Sequence, residues 1–308
     1  MPNSDRGILR DVIVVAGATG RLGGLITAAL RDRGARVRAV VRHGTPKEKR
    51  IPLERIGADV VAVDYSDPAQ LLRACGGAAC VVSALAGPGD VIIGAQSSLL
   101  DAAVASGVPR FIPSDFAIDF YRMPPGYNRN LDLRREFAKR LDAAPIAATS
   151  VLNGMFAELL RGQAPFILTP IRRVVYWRDA DQPMDFTTVE DTAAYTAAAA
   201  LDPTTPRFLR IAGEVASARD LAAIAGEVKG KRFKLLRAGD LGRLEKIIRF
   251  TQRIAPGTDD VYPPWQGMQY MHNMYDGRAK LSPLDNDRYG EMRWTGLRAV
   301  LSTGPASH

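Results

Sequence analysis

The stretch Gly17-Ala18-Thr19-Gly20-Arg21-Leu22-Gly23 follows directly on the apolar run Val12-Ile13-Val14-Val15. It leads into Leu25-Ile26 and Ala28-Ala29-Leu30, spaced as the buried stripe of a helix that ends near Gly34. A short β-branched run suits a buried parallel strand, after which the chain must turn sharply to start a helix that packs back on it. Glycine permits the turn. The missing Cβ atoms at Gly17 and Gly20 let backbone approach backbone, and the one at Gly23 lets the helix lie close on the sheet. A helix N-terminus formed this way points free N–H groups at an anion, and Thr19 adds a hydroxyl. With the second strand Val37-Arg38-Ala39-Val40-Val41 behind it, the pattern predicts a βαβ unit with a dinucleotide site at its first turn. A purely structural strand-turn-helix is the alternative, because glycine-rich turns are common punctuation and the spacing here is GxxGxxG.

Charge at the end of the second strand decides which dinucleotide. A carboxylate there would hydrogen-bond the ribose hydroxyls of NAD and repel a 2′-phosphate, whereas a guanidinium pairs bidentately with that phosphate. The residue in question is Arg42, nineteen positions after Gly23. His43, Lys47, Lys49 and Arg50 lie just beyond it, and Lys49 is the candidate second cation. The expected cofactor is NADP(H); the competing reading is a solvated basic face.

The formal charge of +8 invites a nucleic-acid reading, but residues 31–50 hold eight Arg or Lys against Asp32 and Glu48, so six of the eight excess charges sit beside the expected cofactor phosphate. No basic stripe interleaved with aromatics is evident elsewhere, and direct nucleic-acid binding is not expected. Cys75 and Cys80 are the only cysteines, and His43, His272 and His308 are scattered without ligand spacing, so neither a disulfide framework nor a metal site is indicated. The opening Met1-Pro2-Asn3-Ser4-Asp5-Arg6 is polar and no run approaches a membrane span. A cytoplasmic protein with a small-molecule substrate is expected, with a homodimer as the assembly to test.

Further βα units follow. Asp59–Asp64, Ala79–Ser83 and Arg110–Pro113 read as strands three to five, Pro68–Ala74 and Val91–Ser106 as helices, and a helix over 131–143 precedes a sixth strand over Ile146–Leu152. Strands alternating with helices imply parallel pairing with right-handed crossovers. The expected class is α/β: a doubly wound parallel-sheet Rossmann domain over residues 1–152. A smaller α/β C-terminal substrate domain is expected over 153–308, some of whose segments return to the Rossmann sheet. Within the latter, short strands over 166–168 and 173–176 lead to Phe186–Asp191, an alanine-rich helix over 192–200, a strand-helix pair over 208–212 and 218–228, and a mostly helical remainder with the Pro-rich loop Val261-Tyr262-Pro263-Pro264-Trp265.

Several of these stretches together resemble the NmrA-like and isoflavone reductase-like branch of the atypical short-chain dehydrogenase/reductases. They are the glycine turn, Val41-Arg42, Val82-Ser83-Ala84, Gly107 to Phe116, Asn153-Gly154-Met155-Phe156, Asp191 to Tyr195 and, more loosely, Arg288-Tyr289-Gly290-Glu291 to Leu301. The resemblance implies an NADPH-binding Rossmann domain with a substrate domain beside it, and hydride transfer to a conjugated or benzylic carbon. It implies that Gly17, Thr19, Gly20, Arg21, Leu22 and Gly23 hold the pyrophosphate and that Arg42 and Lys49 hold the 2′-phosphate. Asp64 and Tyr65 then sit beside the adenine, Ser83, Ala84, Ser114 and Asn153 line the nicotinamide side, and Phe156 forms a wall.

One departure bears on chemistry. Reductases of this group carry a lysine on the helix after strand five, and counting back from Ile146 its position falls on or next to Arg134, with Lys139 five residues further on. Arginine holds the charge but, with a pKa above about 12, is a poor proton donor near neutrality. No Tyr-xxx-Lys pair replaces it: Tyr121 is followed by Pro125, Tyr127 by Leu131 and Tyr195 by Ala199. The catalytic candidates are Arg134 as a ribose or oxyanion anchor, Tyr127 as a phenolic donor on a loop, and Asp115 at the C-terminal edge of strand five. Met268, Tyr270, Met271, Met274 and Tyr275 line an apolar pocket or simply form core. The expected function is an NADPH-dependent reductase of a small conjugated, aromatic carbonyl or alkene. The alternatives are an NmrA-like NADP(H)-binding redox sensor without turnover and a cofactor-bound enzyme of redox-neutral chemistry.

Overall fold

The computed structural model describes residues 12–257, 263–290 and 292–303. Met1–Arg6, Val261, Tyr262, Glu291 and His308, which figure in the sequence reading, lie outside the described residues.

The first half alternates as its hydrophobic runs require: β1 (Val12–Ala16), α1 (Arg21–Asp32), β2 (Arg36–Arg42), α2 (Lys47–Arg55), β3 (Asp59–Val63), α3 (Pro68–Cys75), β4 (Ala78–Ser83), α4 (Gln96–Ala105) and β5 (Arg110–Ile112). Then come α5 (Arg129–Ala143), β6 (Ala147–Ala148), β7 (Ser150–Leu152), β8 (Met155–Phe156), β9 (Ile167–Leu168), β10 (Arg173–Trp177), β11 (Met184–Thr187), α6 (Val189–Leu201), β12 (Phe208–Arg210), β13 (Glu214–Ala216) and α7 (Ala218–Lys229). The chain continues through β14 (Lys234–Gly239), α8 (Leu241–Ile254), α9 (Pro264–Asp276) and α10 (Leu297–Ser302).

Among the described residues, six parallel strands form one sheet in the order β3-β2-β1-β4-β5-β6. The order reverses between β1 and β4, which places the ligand edge of such a sheet at the C-terminal ends of β1, β2 and β4. The doubly wound Rossmann arrangement is present. Asp67 caps α3, its carboxylate accepting from the N–H groups of Ala69 and Gln70, and Ser217 and Asp220 form a reciprocal capping box on α7.

The described residues divide into two compact units that are not contiguous in sequence: those up to 114 with 137–150 and 193–207 form the first, and 115–136, 151–192 and those from 208 onward the second. In the first, Arg110 is buried and donates to the carbonyls of Ala199 and Ala200 and the hydroxyl of Thr205, closing the C-terminal end of α6. Burial pushes the free thiols of Cys75 and Cys80 up to about 11 and about 12, so neither is a thiolate near neutrality.

Three local expectations are corrected, and one strand went unread. The sixth strand expected over 146–152 is broken: β6 joins the sheet, whereas β7 pairs with β12. The expected helix over 91–106 opens with π-helical geometry over Asp90–Ala95. α6 starts at Val189, where the N–H donates to the Glu158 carboxylate, three residues before the Thr192 start expected for the alanine-rich helix. β14, a Lys- and Arg-containing strand paired in parallel with β10, lacks the alternation that marks a half-buried strand. In the second unit the core gathers Phe120, Phe166, Phe186, Trp177, Met271, Met274 and Tyr275, with Met268 and Tyr270 packed against it; these methionines and tyrosines are core.

Candidate cofactor and reductase site

The turn after β1 is tight for a physical reason. Gly17 has φ +79°, and a Cβ there would stand 2.5 Å from the Ala84 carbonyl oxygen, so only glycine lets the β1 and β4 loops pass so closely. A Cβ at Gly23 would meet the Gly17 oxygen at 2.2 Å, which locks the first turn of α1 against the loop. Gly20 caps α1 without a side-chain hydrogen bond, leaving Arg21 and Leu22 on the open first turn.

From this turn a cavity of about 420 Å³ runs to the end of β2. Gly17, Thr19, Gly20, Arg42, Lys49, Tyr65 and Ala84 line it, so the first unit brings together most of the residues assigned to the pyrophosphate and 2′-phosphate. Arg42 and Lys49 are exposed, and no carboxylate lines the cavity among the described residues. Asp64 and Tyr65 meet Arg42 at an adjoining cavity of about 310 Å³. Asp64 accepts from both the backbone N–H and the hydroxyl of Ser66, and the hydroxyl bond, followed by the backbone one, holds its carboxyl below its ordinary value. The Tyr65 hydroxyl is buried without a partner, and burial pushes it above the usual phenol range.

Ser83 ends β4 fully buried, and its hydroxyl has no partner. Ser114 is fixed instead: its hydroxyl donates to the Leu85 carbonyl and its N–H to Gln96 Oε1. Sequence reasoning passed over Thr45 and Pro46, which also line the larger cavity. Their only signal is position in the turn that follows Arg42.

In the second unit Asn153 is fully buried, its N–H donating to the Ala117 carbonyl and its own carbonyl accepting from Thr187, while both side-chain amide atoms lack partners. Phe156 in β8 is half-buried. Asp115 is fully buried and accepts from the Tyr121 hydroxyl at 3.3 Å. Arg134 is buried on α5 and donates to the Asn130 carbonyl one turn back. Tyr127, 39% exposed, stacks on His272 with ring centroids 5.7 Å apart, and the Arg278 guanidinium lies 5.7 Å from its centroid. A polar seam invisible to sequence reading runs beneath that loop: Gln266 donates to Asn128, and Asn128 to Asn273, across about 140 residues of chain. No His, Cys, Asp or Glu cluster suited to a metal occurs among the described residues.

A sequence model of the NmrA-like family matches residues 10–255. The chain belongs to that family. Among relatives of this NmrA-like chain, pinoresinol reductase 1 of Arabidopsis thaliana is 31% identical over 210 residues, covering 63% of this chain and 65% of its own length. Phenylcoumaran benzylic ether reductase PT1 of Pinus taeda is 29% identical over 231 residues, 70% of this chain and 74% of that protein. The match thus spans about 65% of the length of the Arabidopsis pinoresinol reductases. The solved structure of AtPrR2 with NADP+ and (+)pinoresinol superposes with a TM-score of 0.80 at 23% identity, over 95% of this chain and 98% of that one. At that identity the match shows the fold. No helix among the described residues is long and apolar enough to cross a membrane.

Proposed function

We propose that this NmrA-like chain is an NADPH-dependent reductase of a small conjugated, aromatic substrate, acting in the cytoplasm without nucleic acid as a partner. The observation that carries the reading is the cavity joining the glycine turn to Arg42 and Lys49 with no carboxylate in its lining. A carboxylate would exclude a 2′-phosphate; two free-standing cations and an uncapped helix N-terminus suit one phosphate group each. The orphaned hydroxyl of Ser83 and the orphaned amide of Asn153 add support, because a buried polar atom without a partner is costly unless a ligand supplies one. The curated relatives named as reductases agree with it.

When bound, NADPH supplies a hydride. The residues of the chain hold and orient. Gly17, Thr19, Gly20, Arg21, Leu22 and Gly23 cradle the pyrophosphate, Arg42 and Lys49 the 2′-phosphate, and Asp64 and Tyr65 flank the adenine. Ser83, Ala84 and Ser114 hold the nicotinamide, and we assign the two-sided amide of Asn153 to a carboxamide, donor to acceptor and acceptor to donor, with Phe156 as an apolar wall. Arg134 anchors a ribose hydroxyl or an oxyanion through charge that persists at any working pH. The proton that accompanies reduction comes from a phenol: Tyr127 on its exposed loop is our assignment, with Asp115 a second, buried carboxylate candidate acting through the Tyr121 hydroxyl it already accepts. A redox sensor without turnover is the second reading, favoured by Arg134 where the family lysine is expected and by its guanidinium donating back to the Asn130 carbonyl of its own helix.

Fluorescence titration with NADPH and NADH tests the cofactor, and loss of NADPH absorbance with conjugated aromatic carbonyls tests turnover. Removing a bidentate charged contact costs about 1.5–3 kcal/mol, so Arg42→Ala weakens NADPH binding about 10- to 100-fold and leaves NADH unchanged. Equal affinity for both cofactors refutes the reading of Arg42; tight NADPH binding with no turnover on any aromatic carbonyl favours the sensor.

A further inference from the structure

His43 stands next to Arg42 and lines the same cavity as Arg42 and Lys49. Its backbone is pinned by donation to the Val63 carbonyl at 3.1 Å. Its ring is held by α3: Nε2 lies 2.8 Å from Gln70 Oε1. The Gln70 amide has its orientation fixed from two other sides, since Nε2 donates to the Asp67 carboxylate at 2.7 Å and Oε1 accepts the Asp64 N–H at 3.1 Å. Gln70 Oε1 is therefore an acceptor and His43 Nε2 must be the donor. The neutral ring carries its proton on Nε2, and a second proton goes to Nδ1, the nitrogen Gln70 does not use.

We infer that His43 is a titratable third cation of the 2′-phosphate site, so that the affinity for NADPH, but not for NADH, strengthens as the imidazole gains its second proton. This rests on the cofactor reading above. The charges around the ring are mixed. Arg42 and Lys49 share its cavity, and Arg38 and Arg73 share a second cavity with it on the α3 side; all four oppose protonation. Asp64, close enough for His43 to favour its ionised form, Asp90 across the adjoining cavity and Asp67 behind Gln70 favour protonation. A phosphate dianion entering the site tips this balance toward the imidazolium, so NADPH binding takes up a fraction of a proton that NADH binding does not.

A phosphate monoester gains its own second proton near pH 6 and then attracts cations less. The test therefore compares wild type with His43→Gln, which keeps an N–H for Gln70 but cannot titrate, because the ligand's own titration is common to both. Dissociation constants for NADPH and NADH are measured at low salt from pH 5.5 to 8.5. We expect wild type to bind NADPH about fivefold more tightly than His43→Gln near pH 6, the size of one exposed charge pair, and equally at pH 8.5. NADH affinities match throughout. Calorimetry in buffers of different ionisation enthalpy shows proton uptake with NADPH in excess of the variant's. A wild-type to variant ratio that stays flat across the range, while NADPH is still preferred to NADH, overturns the role of His43 and leaves the cofactor reading standing. No preference for NADPH at any pH in wild type removes both.

Discussion

Gly23→Ala and Gly20→Ala form a pair that separates the architectural from the ligand-binding work of the glycine turn. A Cβ at Gly23 would lie 2.2 Å from the Gly17 oxygen, 2.7 Å from its carbonyl carbon and 3.0 Å from the Ala18 Cα, all backbone atoms that cannot rotate aside. The first turn of α1 must then lift by about an ångström from the loop, carrying with it the buried stripe Ile26, Thr27 and Leu30. Overpacking of this kind costs about 1–3 kcal/mol, and the rigid neighbours place it at the upper end; the helix propensity gained by alanine returns up to about 1 kcal/mol. The net is about 2 kcal/mol, which for a chain of 308 residues lowers Tm by about 3 °C. Gly20 differs: it has an ordinary extended φ of −81°, and its added Cβ meets only the Gly17 oxygen at 3.4 Å. Gly20→Ala should melt within about 1 °C of wild type, a change of under about 0.5 kcal/mol, while its methyl group stands in the cavity and weakens NADPH binding. Thermal melting monitored by circular dichroism, with cofactor titration beside it, reads both. A Gly23→Ala protein that melts and binds like wild type would refute the close-approach argument, and a Gly20→Ala protein with undiminished NADPH affinity would refute the assignment of the pyrophosphate.

Glu158 is buried, and that burial together with a hydrogen bond to Glu190 raises its carboxyl to about 7. Folding then holds a proton that the unfolded chain releases near its ordinary value, so stability falls as pH rises from about 4.5 to 7 and is level above; Glu158→Gln should remove that slope in urea titrations and gain most at pH 8. Arg110→Met leaves the carbonyls of Ala199 and Ala200 unanswered in a buried setting, and should cost about 2–3 kcal/mol of urea-unfolding stability with little dependence on salt. Asp185→Ala removes the partner of Lys280 and the acceptor of the Leu281 N–H. It should destabilise by about 3 kcal/mol, whereas Arg278→Ala, at an exposed pair with Asp276, should change stability by less than about 1 kcal/mol.

What the sequence disclosed is what short-range physics writes into it. Val12–Val15 announces a buried strand because both faces of β1 are covered, and Gly17 and Gly23 report backbone contacts that exclude a side chain, which Gly20 does not. Arg42 could be placed at the end of β2 because that position depends on a strand of fixed length after a helix of fixed length. Where the reading failed, the deciding interaction lies far along the chain. Nothing local distinguishes Ala147-Ala148, which continues the sheet, from Ser150-Val151-Leu152, which leaves it for β12. The start of α6 had a local signal, Glu190 and Asp191 in the first turn, yet the strand-like Phe186-Thr187-Thr188-Val189 obscured it. Segments 115–136 and 193–207 each cluster with residues distant in sequence; no composition shift marks their limits.

The site divides along the same line. The glycine turn and the cations at the end of β2 line one cavity within some thirty residues of chain, so the phosphate cradle we propose was legible as a motif. The chemistry rests on side chains brought from elsewhere. Arg134 is named by counting along a helix, but its guanidinium turns back to its own helix at Asn130; Tyr127 is a loop residue whose stacking on His272 and approach to Arg278 join positions about 145 residues apart. A proton donor is defined by such neighbours more than by its residue type, since they set whether a phenol can release its proton and where it points. Tyr127→Phe is thus the more telling variant than any glycine change: if Tyr127 is the donor, kcat falls by about two to four orders of magnitude with NADPH affinity intact, and an unchanged kcat transfers the role to the Tyr121 and Asp115 pair.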